Sequence, residues 1–204
     1  MKKLLNFVFV LVFLIAFVGH ELLAQKTGNI LSLQGRFQDL SGNVVCLDEH
    51  VKGQTSVFIF FNPDCSISHE LDAINESVES FGEDVQFYGV VSGGTHRSSE
   101  IKAYVEKHDL GFPVILDKHV RLSAMLSTEV GPTVFIVDQN KVLRYKGAIT
   151  SRSGIGEMGT SYLELALEAV ASGKDMSLIK TEVADCLLFP WSFLEGGAVF
   201  REVL

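Results

Sequence analysis

The segment FIFFNPDCSISHEL, Phe58 to Leu71, holds a change of period that decides the fold. Val57 to Phe61 is an unbroken apolar run with no polar alternation, which predicts a central strand buried on both faces, and its Phe and Val content favours strand over helix. From Ser66 the apolar positions Ile67, Leu71, Ile74 and Val78 recur at helical spacing, and Gly82 marks the stop. A Pro-Asp turn and Cys65 lie between the two patterns. The expected arrangement is a thiol at the first turn of a helix. Three residues on, where a dithiol pair would place its second cysteine, stands Ser68.

Working outward, QGRFQDLSGNVVCLDEH alternates around a Ser-Gly-Asn turn and reads as a hairpin covering one end of a core. Beyond Gly82, DVQFYGVVS is the next strand, SSEIKAYVEKHD a helix with its serines as cap candidates, FPVILD a short strand and KHVRLSAML a helix. VGPTVFIVDQNKVLRYKGAI reads as two strands joined by a tight turn at Asn140. SYLELALEAVASG is a helix with Leu163, Ala166, Leu167 and Val170 inward and Gly173 at its C-terminal end. Strand alternating with helix demands an α/β fold, a mixed central sheet with helices on both faces. Cys65 then falls at the carboxyl end of a central strand, where open α/β sheets place their sites.

The first 24 residues stand apart. Lys2 and Lys3 precede an apolar stretch from Leu4 to Gly19, and Ala24 stands before a plausible cut, the three parts of a secretory signal, although Leu22 is larger than the usual residue at its position. Sixteen residues fall short of the roughly 20 that span a bilayer, so removal is expected over anchoring. The expected organisation is therefore a signal peptide over 1–24, a domain over 28–173 and a C-terminal extension over 174–204, with an exported, periplasmic or extracellular destination. Removing the leader takes Lys2, Lys3 and Glu21 from 17 basic and 25 acidic side chains and leaves 15 and 24, a net charge near −9. That balance argues against nucleic acid and anionic lipid as partners, with membrane contact only through an uncleaved leader. Three cysteines remain, Cys46, Cys65 and Cys186, an odd count that is no disulfide scaffold.

The order of FFNPDC, GPTVFIVD, NKVLRYKGAI and YLELALEAVASGK resembles the exported thioredoxin-like proteins of redoxin type, over about residues 28–186. The resemblance implies a thioredoxin-like fold in which Pro132 is the cis-proline opposite the reactive cysteine, with Gly131 and Thr133 beside it offering backbone to a bound peptide. It implies thiol–disulfide exchange on protein or small-molecule thiols and disulfides, without a cofactor. The C-x-x-S form departs from the C-x-x-C of most members. Variants of that form frequently carry a further cysteine after the last helix, and ADCLL makes Cys186 a candidate resolving thiol.

A thiolate is the nucleophile, and a helix N-terminus stabilises it. The Ser68 hydroxyl would favour the anion by donating a hydrogen bond, whereas Asp64 would oppose it unless turned to solvent. His69 is either a general base, half of a soft-metal site, or an exposed polar residue; no further ligands stand out, so no metal is expected. His96, His108 and His119 read as scattered surface residues, and Cys46, between Val45 and Leu47, as a small core residue. The competing readings are a non-enzymatic protein of the same fold binding a peptide or soft metal, and a thiol peroxidase. Against the latter, the P-x-x-x-T-x-x-C pattern of peroxiredoxins meets Phe58 and Asn62 here, and Arg121 and Arg144 read as surface residues. The apolar end, with Trp191 and Phe193, is left open between docking, a partner contact and disorder.

Overall fold

The computed structural model of the chain describes residues 28–65, 67, 70–151, 159–174, 181 and 186–189. Strands β1 (Arg36–Asp39) and β2 (Val44–Cys46) form the expected hairpin, and the short helix α1 (Leu47–His50) follows. Next come β3 (Thr55–Phe60), α2 (Leu71–Phe81), β4 (Val85–Ser92), α3 (Ser98–Lys107), β5 (Val114–Asp117) and α4 (Arg121–Met125). The chain continues through β6 (Val130–Gly131), β7 (Thr133–Val137), β8 (Leu143–Gly147), α5 (Tyr162–Ala171) and β9 (Cys186–Leu187).

The main sheet runs β2-β1-β5-β4-β3-β7-β8. β3, β4 and β5 are mutually parallel, as their crossover helices α2 and α3 require, while β7 and β1 flank them antiparallel. β3 lies at the centre, and its alternation divides the core. Val57, Ile59 and Phe61 face one cluster with Ile74 of α2, Ile101 of α3 and Leu163 and Leu167 of α5; Phe58 and Phe60 face the other with Leu47 of α1 and Leu122 of α4. This is the mixed sheet with helices on both faces that the pattern demanded. Gly89 of β4 has no room for a side chain in the first layer. A Cβ there would stand 2.9 Å from the Phe61 ring and 3.1 Å from both Phe112 and Val114.

Three local expectations are corrected. Cys46 is half-buried rather than core, because on the edge strand β2 the alternation turns Val45 inward and Cys46 away. Helix α3 is capped at Arg97, not by the serines: Glu100 reaches back to accept from the Arg97 backbone N–H at 2.9 Å and from its guanidinium at 2.6 Å. Those bonds, the backbone one first, hold the Glu100 carboxyl below its usual range. Regular helix α2 begins at Leu71, six residues beyond Cys65, with Ile67 accepting from the N–H groups of Glu70 and Leu71. Residues 66, 68 and 69, between Cys65 and this helix, lie outside the described residues. At the far end of α5, Gly173 takes φ +66°, the left-handed C-terminal conformation expected of it.

Two outcomes follow. Gly89→Val overpacks the layer under β4 and lowers unfolding stability in urea by about 1–3 kcal/mol; an unchanged midpoint would mean that the layer yields. In folded, unreduced protein, iodoacetamide modifies one thiol, and peptide mass assigns it to Cys46.

Candidate functional site

The β3 strand ends in a turn built by Asn62. Its side-chain oxygen accepts from the Asp64 backbone N–H at 3.0 Å, and its backbone carbonyl accepts from the Cys65 N–H at 2.9 Å. Cys65 is thereby set just past the carboxyl end of the strand, 8% exposed. Pairing of Phe60 with Thr133 brings the start of β7 to the same end of the sheet, and the Gly131–Pro132 bond that precedes it is cis, as the resemblance implied. Thr133 is buried and donates its hydroxyl to the Val130 carbonyl at 2.6 Å, so this side chain braces the loop.

Cys186 reaches the site from the other end of the chain. β9 pairs antiparallel with β6, Gly131 opposite Cys186 and Val130 opposite Leu187, and the Leu188 N–H donates to the Glu129 carbonyl at 2.9 Å. The pairing brings Cys186 to a Cα separation of 6.2 Å from Cys65, and the two sulfurs are joined in a disulfide across 121 residues. Leu188 and Phe189 are buried in the core cluster that holds Phe58 and Phe60. Thr181 adds an earlier tether, accepting from the Ala148 N–H at 2.9 Å and lying 3.1 Å from the Tyr145 hydroxyl. Thr181 and residues 186–189 thus pack against the rest of the fold. Trp191 and Phe193 lie outside the described residues, as do Ser68 and His69.

Sequence reasoning missed His96 and the role of Asn62. The His96 ring nitrogen Nε2 lies 3.0 Å from Asn62 Oδ1 and 3.6 Å from Asp64 Oδ2. Asn62 Nδ2 donates to the Leu187 carbonyl at 2.9 Å, which fixes the amide so that Oδ1 faces the histidine. Nε2 must therefore carry the hydrogen of that bond. The Asp64 side chain is 82% exposed, the solvent-facing orientation in which it opposes a thiolate least. Pro63, Asp64, His96 and Tyr104 line an open cleft of about 560 Å³ beside the cysteine. Tyr104 stacks on Phe61 at 5.6 Å, and burial first, then the charge of Glu70, pushes its hydroxyl up to about 12. No spacing rule announces these contacts, since Asn62 binds partners 34 and 125 positions away.

Other candidates have other occupations. Arg121 donates to the Arg36 carbonyl at 3.2 Å and lies over the Phe37 ring, and Arg144 pairs with Asp138 at 2.7 Å. Among the described residues no group of three His, Cys, Asp or Glu side chains is placed to hold a metal ion.

Solved structures with this architecture include a hypothetical protein of Sinorhizobium meliloti, 20% identical with a TM-score of 0.67, covering 80% of this chain and 97% of that one. A secreted disulfide oxidoreductase of Mycobacterium tuberculosis, described as homologous to E. coli DsbE, is 17% identical with a TM-score of 0.55, covering 67% of this chain and 96% of its own. The thioredoxin domain of a thiol-disulfide oxidoreductase from Bacteroides vulgatus is 22% identical with a TM-score of 0.52, covering 59% and 86%. At such identities the likeness is one of fold, and the fold is thioredoxin-like. No curated protein shows significant similarity to the chain. The model of the AhpC/TSA family matches residues 31–146, more than half of the sequence, and the chain belongs to that family.

Proposed function

We propose that the protein is an exported thiol–disulfide oxidoreductase in which Cys65 is the nucleophile and Cys186 the resolving thiol. The observation that carries this reading is the bonded pair itself, a 6.2 Å Cα separation between a cysteine at the carboxyl end of a central strand and one brought in by β9. Acting as oxidant, the protein accepts attack by a substrate thiolate on Cys65 Sγ; the Cys65–Cys186 bond breaks and Cys186 leaves as a thiolate. A second substrate thiolate then attacks the substrate sulfur of the mixed disulfide, forming the substrate disulfide and releasing the Cys65 thiolate. Two electrons pass from substrate to protein. The reverse sequence reduces a disulfide.

Gly131 and Pro132 offer backbone to the substrate in this scheme, Thr133 braces them, and the Ser68 hydroxyl favours the Cys65 anion. Protein or small-molecule thiols and disulfides are the substrates, and no cofactor is needed. The leader supports export, as does the secreted M. tuberculosis protein of similar fold. Among the described residues no helix is long and apolar enough to cross a membrane. A thiol peroxidase fits less well, because Asn62 stands where a peroxide-activating hydroxyl is needed and the candidate arginines are engaged elsewhere.

Non-reducing peptide maps of oxidised protein are expected to hold the Cys65 and Cys186 peptides together. In reduction of a disulfide peptide driven by an external dithiol, Cys65→Ser lowers turnover by about 10³-fold or more; in Cys186→Ser mixed with the disulfide peptide alone, Cys65 attacks one peptide sulfur, the other leaves as a thiolate, and the Cys65 mixed disulfide accumulates. Both thiols free, with turnover indifferent to Cys186→Ser, would leave a single-thiol mechanism. A Cys65 no more reactive than free cysteine across neutral pH would leave a non-enzymatic peptide- or metal-binding protein.

A further inference from the structure

The segment that carries Cys186 is seated as a strand. Cys186 and Leu187 pair with Gly131 and Val130, the Leu188 N–H donates to the Glu129 carbonyl, and Asn62 Nδ2 donates to the Leu187 carbonyl. Leu188 and Phe189 then sink to 1% and 2% exposure. Leu188 covers Gly131 so closely that its Cδ2 lies 2.7 Å from where a Cβ on that glycine would stand. A substrate sulfur bonded to Cys65 must occupy the place that Cys186 Sγ now holds, and the β6 edge beside it accepts one strand at a time. Substrate and tail therefore exclude each other.

We infer that residues 186–189 are a resident occupant of the substrate edge, and that the polypeptides able to replace them carry a cysteine followed at its second and third positions by large apolar side chains. Such a segment docks antiparallel on Val130–Gly131, puts its sulfur at Cys65, places its second residue over Gly131 and buries its third where Phe189 lies. Strand addition supplies backbone bonds common to any sequence, and the two apolar positions supply the selection. Breaking the Cys65–Cys186 bond turns a covalently held strand into a tethered one that a matching substrate can displace. This inference rests on the exchange reading above.

The probes are capped synthetic peptides of residues 181–190, TEVADCLLFP, with the cysteine activated as a mixed disulfide of an aryl thiol. One has the native sequence and the other carries L188S and F189S. Full-length Cys186→Ser protein attacks the peptide sulfur through Cys65, forms the peptide–Cys65 disulfide and releases the aryl thiolate, which is followed by absorbance. The native pattern is expected to react about tenfold faster or more, since burying either side chain is worth more than the 1.4 kcal/mol that a factor of ten represents. In wild-type protein, reduction is expected to speed amide hydrogen exchange over residues 186–189 by a similar factor, a readout that needs no variant to fold. Equal rates for the two peptides, or exchange unaltered by reduction, overturn the inference and leave the exchange function standing. Failure of Cys65 to react with either peptide or with a small disulfide overturns the function itself.

Discussion

Double-sided burial of β3 is the constraint on which the molecule depends. Ser56, Val57, Phe58, Ile59 and Phe60 are all within 1% of complete burial, flanked by β4 and β7 and covered above and below by the two apolar clusters. A strand so enclosed has no freedom in register, because a shift by one residue would exchange Val57 and Ile59 with Phe58 and Phe60 between layers of different shape. Its carboxyl end is therefore a fixed point. The turn at Asn62, the position of Cys65 and the juxtaposition of Gly131 and Pro132 all inherit their precision from it.

Asn62 converts that fixed point into a junction. One amide side chain receives hydrogen bonds from the Asp64 backbone and from His96, and gives one to the tail strand at Leu187. Its own carbonyl holds the Cys65 N–H. The cysteine turn, the histidine-lined cleft and the tail are thus joined through a single residue whose side-chain nitrogen, side-chain oxygen and backbone carbonyl each have a partner. A change of geometry in any one of the three is felt by the other two.

The central strand was legible in advance because Val57–Phe61 is apolar without interruption, and the order of strands and helices carried the fold class. The resemblance of GPTVFIVD to its family segment located the cis bond at Pro132. Helix α2 was read too early because the spacing of Ile67 fits its face, while hydrogen bonding makes Leu71 the first regular residue. Cys46 was read as core from residue type, but strand alternation at a sheet edge decides its exposure. Cys186 could be nominated as a partner only through resemblance. What brings it to Cys65 is a two-residue pairing with β6 and the burial of Leu188 and Phe189, and neither is written in local sequence.

The bond between residues 65 and 186 closes a covalent ring that contains α2 through α5. In the chain-entropy account, opening a ring of 121 residues returns to the unfolded ensemble a freedom equivalent to about 5 kcal/mol. In the exchange cycle proposed above, each half-cycle of electron transfer would change the topology of the polypeptide along with its charge and sulfur chemistry. The reduced protein is an open chain with correspondingly less resistance to unfolding, and the driving force for its reoxidation contains a contribution from folding. Bond formation between the two sulfurs and conformational stability are in this way two readings of one thermodynamic linkage, so conditions that stabilise the folded domain also draw its two sulfurs together.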